Sequence, residues 1–302
     1  MPRLSPTELA SRRSGLGSTC IVEANGLAPW KGAGPMRLFN EKLGIVSPDD
    51  ADELADEDDN DRAEWLEWGH TLEPVIADWY ERTRGVKLQL GGHVPSVEHP
   101  FIWSTLDRTI IGANKGIEIK NVGSPALYRH WDTSSQDGVP NYVRAQVTAH
   151  MHCTGFREWD VAASIGGRPP HVWTVAYDSE LAELLIAGAV KFWQLVKNGT
   201  PPPLDATPAT RAYLLSKYPA NLERAMRKAD EWAEDLAAIR VDAARQYAEA
   251  KTAKTVMDRT TNELLALVGD ADGIEGIGWK MTWKLDKNLK RRPRFTGKGS
   301  EE

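Results

Sequence analysis

The stretch Gly116-Ile117-Glu118-Ile119-Lys120-Asn121-Val122, "GIEIKNV", alternates apolar and polar residues. Successive side chains of a β-strand point to opposite faces, so Ile117 and Ile119 share one face and Glu118 and Lys120 the other. The spacing predicts a strand with one face in a core and a carboxylate beside an ammonium on its other face. A half-buried strand with a solvated polar face carries the same letters. The neighbouring sequence has to choose between surface charge and chemistry.

Upstream, "STLDRTI" (residues 104–110) places Asp107 in a second strand-like run, and "GANKG" (112–116) supplies a turn. A tight hairpin pairing Ile111 with Asn114 sets Asp107 directly across from Glu118, with Cβ atoms about 5 Å apart. Two carboxylates at that separation repel unless a cation lies between them. Hard oxygen ligands suit Mg²⁺, or Mn²⁺ in its place, which keep several waters and bind through one or two carboxylates plus a substrate phosphate. Lys120, one step along the same face, is placed to hold a water and help deprotonate it.

Around this hairpin the elements alternate. Trp65, Trp68, Leu72, Val75, Ile76 and Trp79 recur at three and four residues, the stripe of an amphipathic helix that Pro74 should kink. Strands are expected at Val86–Leu90, His93–Val97, Ile102–Asp107, Thr109–Ile111 and Ile117–Val122. A helix follows over Pro140–Thr154 with Gly155 as its cap, then a hairpin of Asp160–Ile165 and Val172–Tyr177 turning at Gly166-Gly167. Asp178 caps a helix to Asn198, and Ser5-Pro6 starts a short one at the N-terminus. The order predicts an α/β fold with a mixed central sheet flanked by helices.

"TPPPLDATP" (200–208) marks the expected boundary between a domain over 1–204 and an extension over 205–302. Residues 221–268 contain no Gly or Pro. There Leu222, Ala229, Leu236, Ala243, Ala250, Met257 and Leu264 repeat every seven, partnered by Ala225, Trp232, Ile239, Ala253 and Leu267. That is a coiled-coil pattern with Gln246 and Thr260 as its weak positions, and it predicts one long helix or a helical hairpin. "WKMTWK" (279–284) then alternates like an edge strand.

The net charge of −6 argues against attraction to nucleic acid by total charge, but the charge is segregated. Residues 49–61 hold nine acids in thirteen positions, the composition of a solvated loop, whereas 279–298 hold eight Lys and Arg against one acid. Two cysteines, Cys20 and Cys153, exclude a disulfide framework or a four-thiolate iron–sulfur cluster within this chain. No apolar run reaches the length of a membrane span and no leader pattern opens the chain, so a soluble protein of a reducing cytoplasm is expected.

The hairpin and its surroundings resemble the PD-(D/E)xK nuclease superfamily. "RRSGLGST", "WGHTLEP", "STLDRTI", "GIEIKNV" and "YVRAQVTAHMHCTG" resemble, in order, blocks of the YqaJ-type viral recombinases, relatives of phage lambda exonuclease, over roughly 12–198. The resemblance implies a restriction-endonuclease-like core. It implies Asp107, Glu118 and the Ile119 carbonyl as metal ligands, with Glu73 completing the site directly or through water. Lys120 matches the catalytic lysine and Gln146 a supporting glutamine. Arg12, or Arg13 in its place, and Thr19, where serine is more usual, match residues that grip a terminal 5′-phosphate. Leu106 stands where proline commonly precedes the first carboxylate.

The implied activity is a Mg²⁺-dependent exonuclease that degrades double-stranded DNA from 5′ ends and leaves 3′ single strands for recombination. A ring of three subunits, a single-strand annealing partner and a phage-encoded origin in a bacterial cytoplasm are implied with it. A structure-specific or restriction-like endonuclease, or a catalytically silent DNA-binding or assembly protein, would retain part of the pattern. His150 and His152, two apart on a helix, point to different faces and make a poor zinc pair. Arg291, Arg292 and Arg294 of the basic tail are candidates for contact with DNA phosphates or a neighbouring subunit.

Overall fold

The computed structural model describes residues 12–30, 32–45, 57–123, 125–218, 228–285 and 291–297, and excludes the side chains at 57–66, 125–126, 285 and 291–292. The helix expected from Pro6 lies outside the described residues up to Arg12, as does the acidic run before residue 57. The chain forms two compact units, Met1–Asn221 and Leu222–Glu302.

The first unit is built on a six-stranded mixed sheet. Its elements run β1 (Leu16–Gly17), α1 (Ser18–Ala24), α2 (Pro35–Leu43), α3 (Glu57–Arg84), β2 (Leu88–Pro95), β3 (Ile102–Ile110), β4 (Lys115–Val122), α4 (Pro125–Tyr128), α5 (Asn141–Thr154), β5 (Glu158–Ile165), β6 (His171–Ala176), α6 (Ser179–Asn198) and α7 (Pro208–Lys217). Helix boundaries follow their capping chemistry. Asp178 accepts the Leu181 N–H at 3.0 Å to open α6, and Gly155 and Gly199 close α5 and α6 in the left-handed region.

β3 is the hub. β2 pairs antiparallel along one edge, while the other edge is shared: β1 pairs parallel at Ile102 and Trp103, and β4 pairs antiparallel at Arg108 and Thr109. β4 then runs parallel to β5 from Lys115↔Glu158 to Val122↔Ile165, and β6 closes the sheet antiparallel to β5. The faces sort by alternation. Val143, Val147 and Met151 of α5 pack on Val122, Trp159, Val161 and Ala163. Ile76, Ala77 and Tyr80 of α3 cover Ile117, Ile119 and Ala162 from the opposite side. α1, α2, α6 and α7 gather in a third cluster that includes Leu16, Phe39, Phe192 and Tyr213.

Two expected strand pairs are in fact single strands. β2 continues through Gly91-Gly92, and β3 continues through Arg108. Glycine permits this: a Cβ on Gly91 would stand 2.4 Å from both the Cβ and the carbonyl oxygen of Leu106. Because part of that obstacle is backbone, Gly91→Ala is expected to destabilise the unit by about 2 kcal/mol or more, visible as a lower melting temperature.

The second unit holds α8 (Glu231–Val268) and β7 (Gly273–Gly276), β8 (Trp279–Leu285) and β9 (Arg291–Gly297). α8 is one continuous helix of 38 residues, opened by Asp230 accepting the Ala233 N–H at 2.9 Å. Trp232, Ile239 and Met257 of the heptad pattern stand exposed on it, whereas Leu222 and Ala225 lie outside the described residues. The run expected as an edge strand, β8, is instead the middle strand of an antiparallel sheet ordered β7-β8-β9. The strand that takes its second edge is supplied by the basic tail, whose charges concealed it.

Candidate active site

The sheet places Asp107 and Glu118 as the hairpin register requires. Arg108↔Ile117 and Thr109↔Gly116 are paired, so continuing the same register sets Asp107 across from Glu118. The ladder stops one step before that pair. Asp107 Oδ2 instead accepts the backbone N–H of Ile119 at 2.8 Å, so a side chain takes over where the two strands begin to part.

A second irregularity coincides with the fork. Leu106 packs with the α5-side cluster, yet Arg108, two residues on, reaches Glu73 of α3 on the opposite side of the sheet. Residues two apart in a regular strand share a face, so the alternation slips at Asp107. The Arg108 guanidinium donates from Nη1 to Glu73 Oε1 and to the Asp107 carbonyl oxygen, each at 2.6 Å. Glu73 is thereby tied to the fork from α3.

Glu118 is 2% exposed and held by three donors. Lys120 Nζ lies 2.6 Å and Gln146 Nε2 2.8 Å from its Oε1, and His150 Nε2 lies 3.0 Å from its Oε2. Lys120 Nζ also donates to Gln146 Oε1 at 3.0 Å, closing a triangle of acid, amine and amide. Gln146 and His150 are four apart on α5 and so face the sheet together. His150 Nδ1 has no partner among the described residues, which places the imidazole proton on Nε2, where Glu118 accepts it.

The electrostatics follow from burial. Removal from water, then the charge of Glu118, pushes the Asp107 carboxyl up to about 8. Burial would raise Glu118 as well, but Lys120 and the bond from His150 outweigh it and hold that carboxyl at about 2. Burial alone would lower Lys120, and the two carboxylates raise it instead. Without a metal, burial and the neighbouring Glu118 therefore push Asp107 toward its protonated form, beside a Glu118–Lys120 ion pair.

This donor set fits a hard divalent cation. Asp107 and Glu118 offer carboxylate oxygens close enough to disturb each other, and a dication would offset both the burial and the repulsion that push the Asp107 carboxyl up. Among the described residues, no group of three or more His, Cys, Asp or Glu side chains is arranged to hold a metal. The fit is thus to an ion that takes few protein ligands and completes its shell with water and phosphate. His152 bonds Ser96 Oγ at 3.2 Å, away from Glu118, so the two histidines form no zinc pair.

The structure thus joins Asp107, Glu118, Ile119, Lys120 and Gln146, with Glu73 linked through Arg108. Arg12, Arg13 and Thr19 are exposed around the start of α1, where the Arg12 carbonyl accepts the buried Lys42 Nζ at 2.7 Å. Arg291 and Arg292 open β9, and their side chains lie outside the described residues. Two further residues belong to this group, His150 and Arg108. The four-residue spacing from Gln146 to His150 was available as a signal. Nothing in the sequence marks Arg108, because only the slip at Asp107 turns it toward α3.

Among family models, the YqaJ-like viral recombinase domain matches residues 9–157. No curated protein matches the chain. Similar solved structures include LHK-Exo in complex with dAMP, at 16% identity and TM-score 0.49 over 70% of this chain and 97% of that one. The LHK-Exo alkaline exonuclease from Laribacter hongkongensis in another structure gives 14% and 0.48 over 65% and 94%. A phage related exonuclease from Haemophilus somnus 129PT gives 13% and 0.40 over 61% and 96%.

Proposed function

Since residues 9–157 belong to the YqaJ-like viral recombinase domain family, we propose that this chain is a Mg²⁺-dependent exonuclease that degrades duplex DNA from its 5′ ends and leaves 3′ single strands. The observation that carries the reading is the buried contact of Lys120 Nζ with Glu118 Oε1 at 2.6 Å, next to an Asp107 carboxylate anchored on the intervening Ile119 N–H. A structural ion pair needs no second carboxylate forced in beside it. A phosphodiesterase does.

Asp107, Glu118 and the Ile119 carbonyl would hold the cation, Mg²⁺ or Mn²⁺ in its place, with Glu73 completing its surroundings. The bound ion supplies charge that offsets the negative charge growing on the phosphate and lowers the pKa of a water. Lys120 orients that water and carries a proton at Nζ; Gln146 fixes Lys120 through Oε1 and Glu118 through Nε2. His150 keeps Glu118 from rotating away by engaging its second oxygen. Arg12 or Arg13, with Thr19, would grip the 5′-phosphate of the end. The 3′ strand would pass to a single-strand annealing recombinase, and a ring of three copies around the duplex would keep the enzyme on its track.

A digestion time course tests this directly, using linear 5′-phosphorylated, linear dephosphorylated and covalently closed duplexes with and without Mg²⁺. Only linear DNA with Mg²⁺ should be degraded, and the phosphorylated end faster. Cutting of closed circles would make the enzyme an endonuclease. Arg12→Ala should lower the rate on phosphorylated ends about tenfold and leave the rate on hydroxyl ends unchanged. Equal wild-type rates on both ends would remove the phosphate-gripping role.

A further inference from the structure

We propose that the outer face of the β7–β8–β9 sheet is a second DNA-binding surface, one that holds the phosphate backbone without reading bases; the proposal deepens the nuclease reading and rests on it. The register sorts the basic tail into two faces. On β8, Met281 is 1% exposed, and Trp279 stacks on Phe295 with centroids 5.9 Å apart. Met281 pairs with Phe295, so Trp279, Met281, Trp283 and Phe295 form an apolar face. Lys280, Thr282 and Lys284 alternate with them and point the other way. Thr282 pairs with Arg294 and Lys280 with Thr296, which brings Arg294 and Thr296 onto that same polar face.

The result is a strip bearing three cations and the hydroxyl of Thr282, while the Thr296 hydroxyl donates to the Lys280 carbonyl at 3.3 Å. Lys284 and Arg294 are exposed. Lys280 and Lys284, four steps apart on one strand, stand about 13 Å from each other, with Arg294 on the next strand between them. Lys, Arg and Thr side chains are the usual donors to phosphate oxygens, contacts that fix register without conveying sequence. One acid shares the face: Glu275 meets Lys280 at 3.4 Å, an exposed pair that contributes little and gives way readily to phosphate. In a chain of net charge −6, such local clustering is what makes attraction to DNA possible.

The test uses the full chain in EDTA, where no hydrolysis occurs, with fluorescence anisotropy of a blunt duplex across a KCl series. The triple variant Lys280→Gln/Lys284→Gln/Arg294→Gln should raise Kd at least tenfold at low salt. Its slope of log K against log salt should be shallower by about 2 to 3. Thr282→Glu, which plants a negative charge mid-face, should weaken binding in the same direction and guards against misfolding of the triple variant. With Mg²⁺ restored and DNA below saturation, both variants should cut more slowly than wild type, in step with their raised Kd. Unchanged Kd and slope in both variants would overturn the proposal. So would unchanged DNA binding accompanied by lost binding to anionic lipid vesicles, which would make the face a membrane contact. If wild type binds through this face but cuts nothing, the nuclease reading fails while the surface stands.

Discussion

Lys120→Ala is expected to lower the hydrolysis rate at least a thousandfold while Kd for duplex DNA in EDTA stays within about twofold of wild type. The size follows from the two roles that meet at one nitrogen. A positioned proton-transfer group contributes about 100- to 10,000-fold, and under the proposed mechanism the charge of Lys120 would also offset charge on the reacting phosphate. The amine is not replaced by its neighbours, because Gln146 and His150 are already committed to Glu118. Removing one partner of a buried ion pair also costs stability, about 3 kcal/mol or more. The melting temperature of the metal-free variant should therefore fall, and activity should be measured well below it. Mg²⁺ should recover much of that loss, since the cation replaces the missing positive charge beside Glu118. A variant that cuts at more than a few per cent of the wild-type rate would remove Lys120 from the chemistry.

Asp107→Asn should do two things of opposite sign. It should abolish Mg²⁺-dependent cutting and make the metal-free protein more stable at alkaline pH. Asp107 keeps its proton up to about pH 8 in the folded chain, against an ordinary value of 3.8. Between those limits the folded state binds more protons than the unfolded one, so stability falls as pH rises, and the loss is complete above about pH 8. The full difference is on the order of 5 to 6 kcal/mol. Asparagine retains an acceptor for the Ile119 N–H and carries no charge. The variant should thus melt several degrees above wild type at pH 8.5 without metal, and the gap should close toward pH 4. Mg²⁺ should raise the wild-type melting temperature by preferential binding to the folded state and leave the variant's almost unmoved. A variant less stable than wild type at pH 8.5 would show that Asp107 is held ionised by contacts other than those seen.

The core of this site was legible in the sequence because it obeys local rules. Strand alternation put Glu118 and Lys120 on one face, and the short "GANKG" turn fixed the register that carries Asp107 to Glu118. Gln146 followed only from the resemblance of its helix to the recombinase family. What could not be read depends on departures from those rules. Arg108 belongs with Glu73 only because β3 changes face at Asp107, and no residue-level pattern announces such a slip. The continuity of β2 was hidden by Gly91-Gly92, residues that usually punctuate, here kept small to let Leu106 approach. Likewise β8 reads as an edge because the strand that completes it, β9, is written in arginines rather than in alternating apolar residues.

β2 also bears on how the protein behaves when concentrated. Its far side has no strand partner among the described residues, so its amides and carbonyls could template growth onto another molecule. Gly92 at φ 94 and Pro95, which lacks an amide hydrogen, interrupt that template within four residues. The same glycine pair that admits Leu106 on the inside thus spoils the outside for stacking, and replacing Gly92 and Pro95 with strand-forming residues is a route to fibrous aggregates rather than to a firmer enzyme.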